Sequence, residues 1–307
     1  MPKIHVTRSQ QVPAPAGEVF AIVRDFKQWR PWSPWLIAEP ACEVTYPQDG
    51  SGYAWDGEIV GAGKMEVVAD KPGESMTTKL NFIKPFKSEA DVTFTFAEND
   101  GGTEVTWSMD SSLPFFMFFF KGMMESFIGM DYERGLLMLQ EYAETGAVSS
   151  GLEFPGVENF AGCRFVGIRR EAPMAEMAEA MGGDFGRVNQ WVEGSGAEPA
   201  GKPLSIYHKW NPVKRIAEYT AAIPVSGSPG ELPDGLVEGA VPACRTYPVK
   251  HTGPYRYLGN AWASGIMHSR AKRFKKLNSI APFEIYENDP AETAEKDLVT
   301  VVRFAAK

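Results

Sequence analysis

CRTYPVKHTGPYRYLGNAW, Cys244–Trp262, decides the reading of the fold, because an earlier stretch can be laid over it. That stretch is CRFVGIRREAPMAEMAEAM, Cys163–Met181; Cys-Arg falls on Cys-Arg, and Pro173 falls on Pro254 at the same offset. Further along, SIYHKWNP overlays EIYENDP, setting Ile206–Tyr207 on Ile285–Tyr286. Each copy then carries one more apolar run, IAEYTAAIPV or DLVTVVRFA. Matching order and near-matching spacing are the mark of duplication. Each copy reads strand–helix–strand–strand. The second half is therefore expected to be an α+β unit of two repeats about a pseudo-twofold axis, with a groove between their sheets.

Comparing the copies exposes one asymmetry. In FEIYENDP, Phe283–Pro290, strand alternation points Phe283 and Ile285 to one face and Glu284 and Tyr286 to the other. Ser205 holds the position of Glu284 in the first copy, and Tyr207 that of Tyr286. Glu284 is then either a solvated strand residue or the one charge in an aromatic-lined pocket, since pockets combine apolar walls with a few placed polar groups. Independently of that choice, the two tyrosines read either as pocket wall or as plain core residues. In HTGPY, Thr252 and Pro254 suit a helix start, with Tyr255 at its head, and His251 reads as structural.

A chain of 307 residues, 44% hydrophobic and 23% charged, suits a soluble protein of two domains. A net charge of -8 argues against direct nucleic-acid contact, which needs clustered Lys and Arg. Cys42, Cys163 and Cys244 are widely spaced and the four histidines are scattered, so no metal site, disulfide framework or cofactor is expected. The opening MPKIHVTRSQ lacks the apolar core of a signal peptide. PFFMFFFKGMMESFIGM is broken by Lys121 and Glu125 and falls short of the ~20 residues that span a bilayer. The expectation is a cytoplasmic protein with no membrane contact.

The first half opens with a strand-like IHVTRSQQV, followed by the helical spacing of PAPAGEVFAIVRDF and the tryptophans of WRPWSPW. Runs such as YAWDGEIV, SMTTKLNFI, EADVTFTFAE and TEVTWSM are separated by turn signals, and a helical pattern runs from Pro114 to about Ala143 with Gly146 as its stop. A long Phe- and Met-rich helix is best buried across the concave face of a curved antiparallel sheet. This helix-grip order, with APAGEVFAIVRDFKQWRPWSPW near the start and GGTEVTWSM before the last helix, resembles the SRPBCC or START-like superfamily of polyketide cyclases and lipid carriers. The resemblance implies a cavity between sheet and long helix, near the apolar residues 115–139. The expected domains are residues 1–146, a linker at 147–160, and residues 161–307.

GKPLSIY, the VKHTGPY turn, EIYENDP and the closing strand make residues 161–305 similar to the GyrI-like family, the effector-binding domain of transcription activators. The resemblance implies that Glu284 sits in an aromatic pocket and meets cationic, planar compounds. The helix after HTGPY ends in MHSRAKRFKKLN and lacks the family's tryptophan–proline turn, which leaves the far wall of the pocket open. The expected ligand-binding residues are Glu284, Tyr286, Tyr207, Ser205 and Tyr255, and the expected function is small-molecule sensing or sequestration. No helix-turn-helix pattern accompanies them, so any signal would pass through a protein partner. Two alternatives stand beside this. Glu284 could be the general base of a hydrolase acting on strained electrophiles, with Tyr286 or Tyr207 as donor to the developing anion. Or the START-like half could carry or cyclise a lipophilic ligand.

Overall fold

The computed structural model describes residues 3–307, apart from the side chains of residues 115–117. The chain divides into two compact units, the first ending at Ser149 and the second spanning Ser150–Lys307.

In the first unit, period-two alternation writes a seven-stranded antiparallel sheet. Its strands are β1 (Lys3–Val12), β2 (Glu43–Thr45), β3 (Gly52–Asp56), β4 (Ala62–Lys71), β5 (Ser75–Lys84), β6 (Ser88–Asn99) and β7 (Gly102–Ser112), in the order β1-β7-β6-β5-β4-β3-β2. α1 (Ala16–Arg24) follows β1, and α2 (Lys121–Thr145) follows β7 and packs on β1. α2 starts later than the pattern from Pro114 implies, because Phe115–Phe120 form a 3-10 turn. It stops at Gly146, whose φ of 75° continues no right-handed helix and whose N–H returns to the Tyr142 carbonyl.

Between sheet and α2 lies a column of rings. Trp107 stacks on Tyr132 at 4.1 Å and on Phe94 at 4.7 Å, and the buried Trp29 and Trp32 join it. WRPWSPW is thus core in its first two tryptophans. The cavity that the START-like resemblance implies falls where these rings pack, and in part on residues 115–117, whose side chains lie outside the described residues. A cleft of about 430 Å³ opens elsewhere, beside α1, at Phe20, Arg24 and Tyr46.

The second unit contains β8 (Gly151–Glu153), β9 (Glu158–Phe160), β10 (Cys163–Pro173), α3 (Met177–Ser195), β11 (Leu204–Asn211), β12 (Ile216–Pro224), β13 (Val237–Val241), β14 (Cys244–Thr252), α4 (Gly259–Arg270), β15 (Phe283–Tyr286) and β16 (Val299–Ala306). The two repeats are β10-α3-β11-β12 and β14-α4-β15-β16. They join edge to edge in one sheet, ordered β13-β10-β12-β11-β15-β16-β14-β8. The junction is β11 against β15, where Ser205 stands directly opposite Glu284. These are the two repeat-equivalent positions, so the pseudo-twofold axis passes through that pair. The groove between the repeats therefore lies between their helices, across the face of a shared sheet, and not between two separate sheets. The reason is that pairing β11 with β15 satisfies backbone edges that two separate sheets would leave open.

One face of this sheet carries Ala172, Tyr219 and Ala221 under α3, and Tyr247, Val249, Val302 and Phe304 under α4. Gly265 lets α4 settle: a Cβ there would come within 2.0 Å of the Phe304 ring. The opposite face buries Phe165, Leu204, Ile206, Val241 and Phe283. β10 pairs with β13 while β14 pairs with β9, so the leading ends of the two first strands wrap onto one another. This changes the expected linker at 147–160: Gly151–Glu153 and Glu158–Phe160 are strands paired to β14. A Gly- and Pro-rich sequence conceals them, because short edge strands carry too few residues to show a period.

Candidate functional site

The cleft between α3 and α4 has a volume of about 980 Å³ and lies wholly in the second unit. Alternation along β15 puts Glu284 and Tyr286 on its floor, since Phe283 and Ile285 belong to the opposite face. Glu284 is 1% exposed. Its Oε1 accepts from the indole Nε1–H of Trp262 at 2.5 Å, and its Oε2 accepts from the hydroxyls of Tyr286 at 2.6 Å and Tyr207 at 3.0 Å. All three partners are neutral.

Four of the five expected residues line the cleft: Glu284, Tyr286, Tyr207 and Tyr255. Ser205 does not reach the cleft surface. It is fully buried behind Tyr286, with its Oγ 3.1 Å from the tyrosine hydroxyl and 3.8 Å from Met181 Sδ. Tyr255, at the head of the helical turn before α4, meets Tyr286 edge to face at 5.7 Å, and Phe185 of α3 meets Tyr286 from the other side at 5.6 Å.

Among the cleft residues outside the sequence reading, two tryptophans matter most to the site. Trp262 donates to the carboxylate and packs edge-on to Tyr207 at 4.8 Å. The repeat points to it: Met181 overlies Trp262, just as Ser205 overlies Glu284. The first copy's Ser205–Met181 contact thus mirrors the Glu284–Trp262 bond. The second is Trp210. Simple alternation would turn it away from Tyr207. A bulge between Tyr207 and Lys209 resets the register and brings Trp210 to the cleft, 6.1 Å from Trp262.

Electrostatics follow from this enclosure. Burial pushes the Glu284 carboxyl above its ordinary range, and the three donors pull it back only in part. Burial, and then the Glu284 charge, push Tyr207 and Tyr286 well above the usual phenol range, so both remain donors. Tyr255 is raised by burial and by the charges of Glu284 and Asp289. The arrangement is an aromatic cleft floored by one buried carboxyl, which among the described residues is bonded to neutral donors alone.

Both walls are anchored by buried polar groups. Asp184 of α3, fully buried, accepts from Tyr219 at 2.8 Å and from Arg170 at 2.6 Å. Beneath α4, His251 is fully buried, with Nε2 3.2 Å from Ser150 Oγ and Nδ1 unpartnered. Among the described residues no group of three or more His, Cys, Asp or Glu could hold a metal, and no helix is long and apolar enough to cross a membrane.

In the first unit, Asp56 and Lys79 stand in exposed ion pairs with Lys84 and Asp91, which builds no site.

Comparison with known families agrees with both halves of the sequence reading. Residues 3–144 match the family model described as polyketide cyclase / dehydrase and lipid transport, and residues 155–307 match the GyrI-like small molecule binding domain. The first half resembles the one and the second half the other, and together they support small-molecule binding. No curated protein matches the chain significantly. Among solved structures, the EcmrR–DNA complex is similar at 17% identity and a TM-score of 0.44, covering 61% of this chain and 65% of that one. The chain thus spans about 65% of the length of that relative. The EcmrR C-terminal domain is similar at 16% identity and a TM-score of 0.42, covering 52% of this chain and 98% of that one. Protein MLL2253 from Mesorhizobium loti is similar at 15% identity and a TM-score of 0.37, covering 46% and 96%.

Proposed function

We propose that the C-terminal unit, which carries the GyrI-like match, binds hydrophobic cations in its cleft, and that the chain senses or sequesters them. Glu284 supplies the charge, Tyr286, Tyr207 and Tyr255 the aromatic wall, and Ser205 holds Tyr286 in place. The observation that carries this reading is the buried Glu284 carboxylate, whose three partners are all neutral. Burying an uncompensated charge is costly, and a bound cation offsets that cost. Ring faces at Trp262 and Tyr286 would each add on the order of 1 kcal/mol of cation–π attraction. Any signal would pass through a protein partner. The free thiols of Cys42, Cys163 and Cys244 suit a reducing cytoplasm.

The hydrolase alternative has less support. A general base must offer an oxygen to water, and three of the carboxylate's roughly four acceptor sites are already taken, two on Oε2 and one on Oε1.

Calorimetric titration tests the proposal, using decyltrimethylammonium and its neutral isostere with carbon in place of nitrogen. Glu284→Gln should weaken the cation by about 1–3 kcal/mol, the scale of a charge-assisted contact, and leave the neutral compound unchanged. Equal binding of the cation by both proteins would overturn the assignment.

A further inference from the structure

The negative charge of the cleft does not end at Glu284. Where β15 ends, the chain turns through Glu287, Asn288, Asp289 and Pro290, and all four line the same cleft as Glu284. Tyr255 stands between the two levels, in edge-to-face contact with Tyr286, and its hydroxyl feels the charges of both Glu284 and Asp289. The turn is fixed in place. Asp289 Oδ1 accepts from the Ala291 N–H at 2.8 Å, and Asn288 bonds both to the Val299 N–H and to the Asp297 carbonyl.

Two cations share this end with the two carboxylates. Arg256 is bonded to Glu295 at 3.0 Å, and Lys202 is the single lysine in the lining against Glu287 and Asp289. The other end of the cleft has a different character, with Met174, Met177 and Trp210 beside Arg215. Acidic groups are therefore gathered at one end of a cleft whose other end is largely apolar.

We infer that the cleft is built for dications: one positive charge on the floor at Glu284, the second at the rim by Glu287 and Asp289, with the Tyr255 ring alongside the connecting segment. This rests on the reading of the cleft as a cation site. Asp289 follows Glu284 by five positions, so the two backbone positions lie within the roughly 17 Å that five extended residue steps reach. That bounds the ligand to a semi-rigid or flexible bis-ammonium or bis-amidinium compound of drug size. The rim carboxylates are solvated, and their contribution is screened by salt over a Debye length of about 8 Å at physiological ionic strength.

The test compares decamethonium, with a trimethylammonium at each end of a ten-carbon chain, against decyltrimethylammonium, which has one. The wild-type chain should bind decamethonium about tenfold more tightly at low salt, and the preference should shrink as salt is raised. The double substitution Glu287→Gln and Asp289→Asn should abolish the preference while leaving decyltrimethylammonium within twofold. Asn at 289 keeps an oxygen for the Ala291 N–H, so the turn survives. Glu284→Gln should weaken both probes. A wild-type chain without preference, or a rim variant that weakens both probes equally, would overturn the dication inference while a Glu284→Gln loss left the cation site standing. If Glu284→Gln changed neither probe, or neither bound the wild-type chain, the cation site itself would fall.

Discussion

Acidification should loosen the C-terminal unit through His251, and the size of the effect follows from its surroundings. The ring lies on β14 between Leu152 of β8 and Thr300 of β16, fully buried, with Ser150 Oγ 3.2 Å from its Nε2 and, among the described residues, no carboxylate shifting its titration. Burial alone pushes its pKa down, from 6.5 to about 4. In the unfolded chain the same imidazole titrates near 6.5. Because the folded value is depressed, the unfolded state binds the proton first. His251 therefore costs no stability above pH 6.5, costs progressively more between 6.5 and about 4, and nothing further below. Between pH 7 and 4.5 the loss integrates to about 2 kcal/mol. His208, also lowered by burial, acts in the same direction. Glu284 acts oppositely, since its raised folded value makes protonation stabilising as pH falls through it. Urea unfolding of wild type and His251→Leu at matched pH values separates these, because only the His251 contribution disappears in the variant. The variant should be less stable at pH 7 but flatter towards pH 4.5 by about 2 kcal/mol. Parallel pH profiles for the two proteins would refute the assignment.

Gly265→Ala should destabilise the C-terminal unit by about 1–3 kcal/mol, because its methyl would collide with the Phe304 ring and push α4 from the sheet. Denaturant midpoints measure the loss, and decyltrimethylammonium affinity should fall with it as Trp262 moves. Asp184→Ala should cost about 2 kcal/mol, leaving Tyr219 and the half-exposed Arg170 without their carboxylate and freeing the α3 wall. Its midpoint, read against Asp184→Asn, shows whether the charge or the bonds matter more. The segment Ser150–Lys307, expressed alone, should fold with a cooperative transition, since both repeats and their two helices lie within it. A broad, non-cooperative melt would count against it.

Much of the cleft was legible because two simple periods sufficed. Alternation alone set Glu284 and Tyr286 together, and the repeat supplied the strand–helix–strand–strand units and the contrast with Ser205, but not their joining in one sheet. What escaped the sequence depended on long-range geometry. A single bulge after Tyr207 brings Trp210 to the cleft, and no local pattern announces an inserted residue. Trp262 lay at the end of the quoted repeat, yet its role emerges only when helix and strand are docked. The strands at 151–153 and 158–160 escaped too, because their partner β14 lies about a hundred residues further along the chain and three residues cannot display a period. In the first unit, tryptophan and phenylalanine content implied an apolar interior. Whether that interior would be a cavity or a stack of rings was a matter of packing, not composition.

The proposed cation binding rests on Glu284, a buried carboxyl whose three hydrogen-bond partners are neutral. Carbon-13 NMR titration of the Glu284 carboxyl, with and without decyltrimethylammonium, tests it most directly. Free protein should show a pKa above the ordinary glutamate range, set by burial. The bound cation should bring it down and release protons near that pH. A Glu284 carboxyl that titrates in the ordinary range, or one whose titration the cation leaves unmoved, would contradict the account.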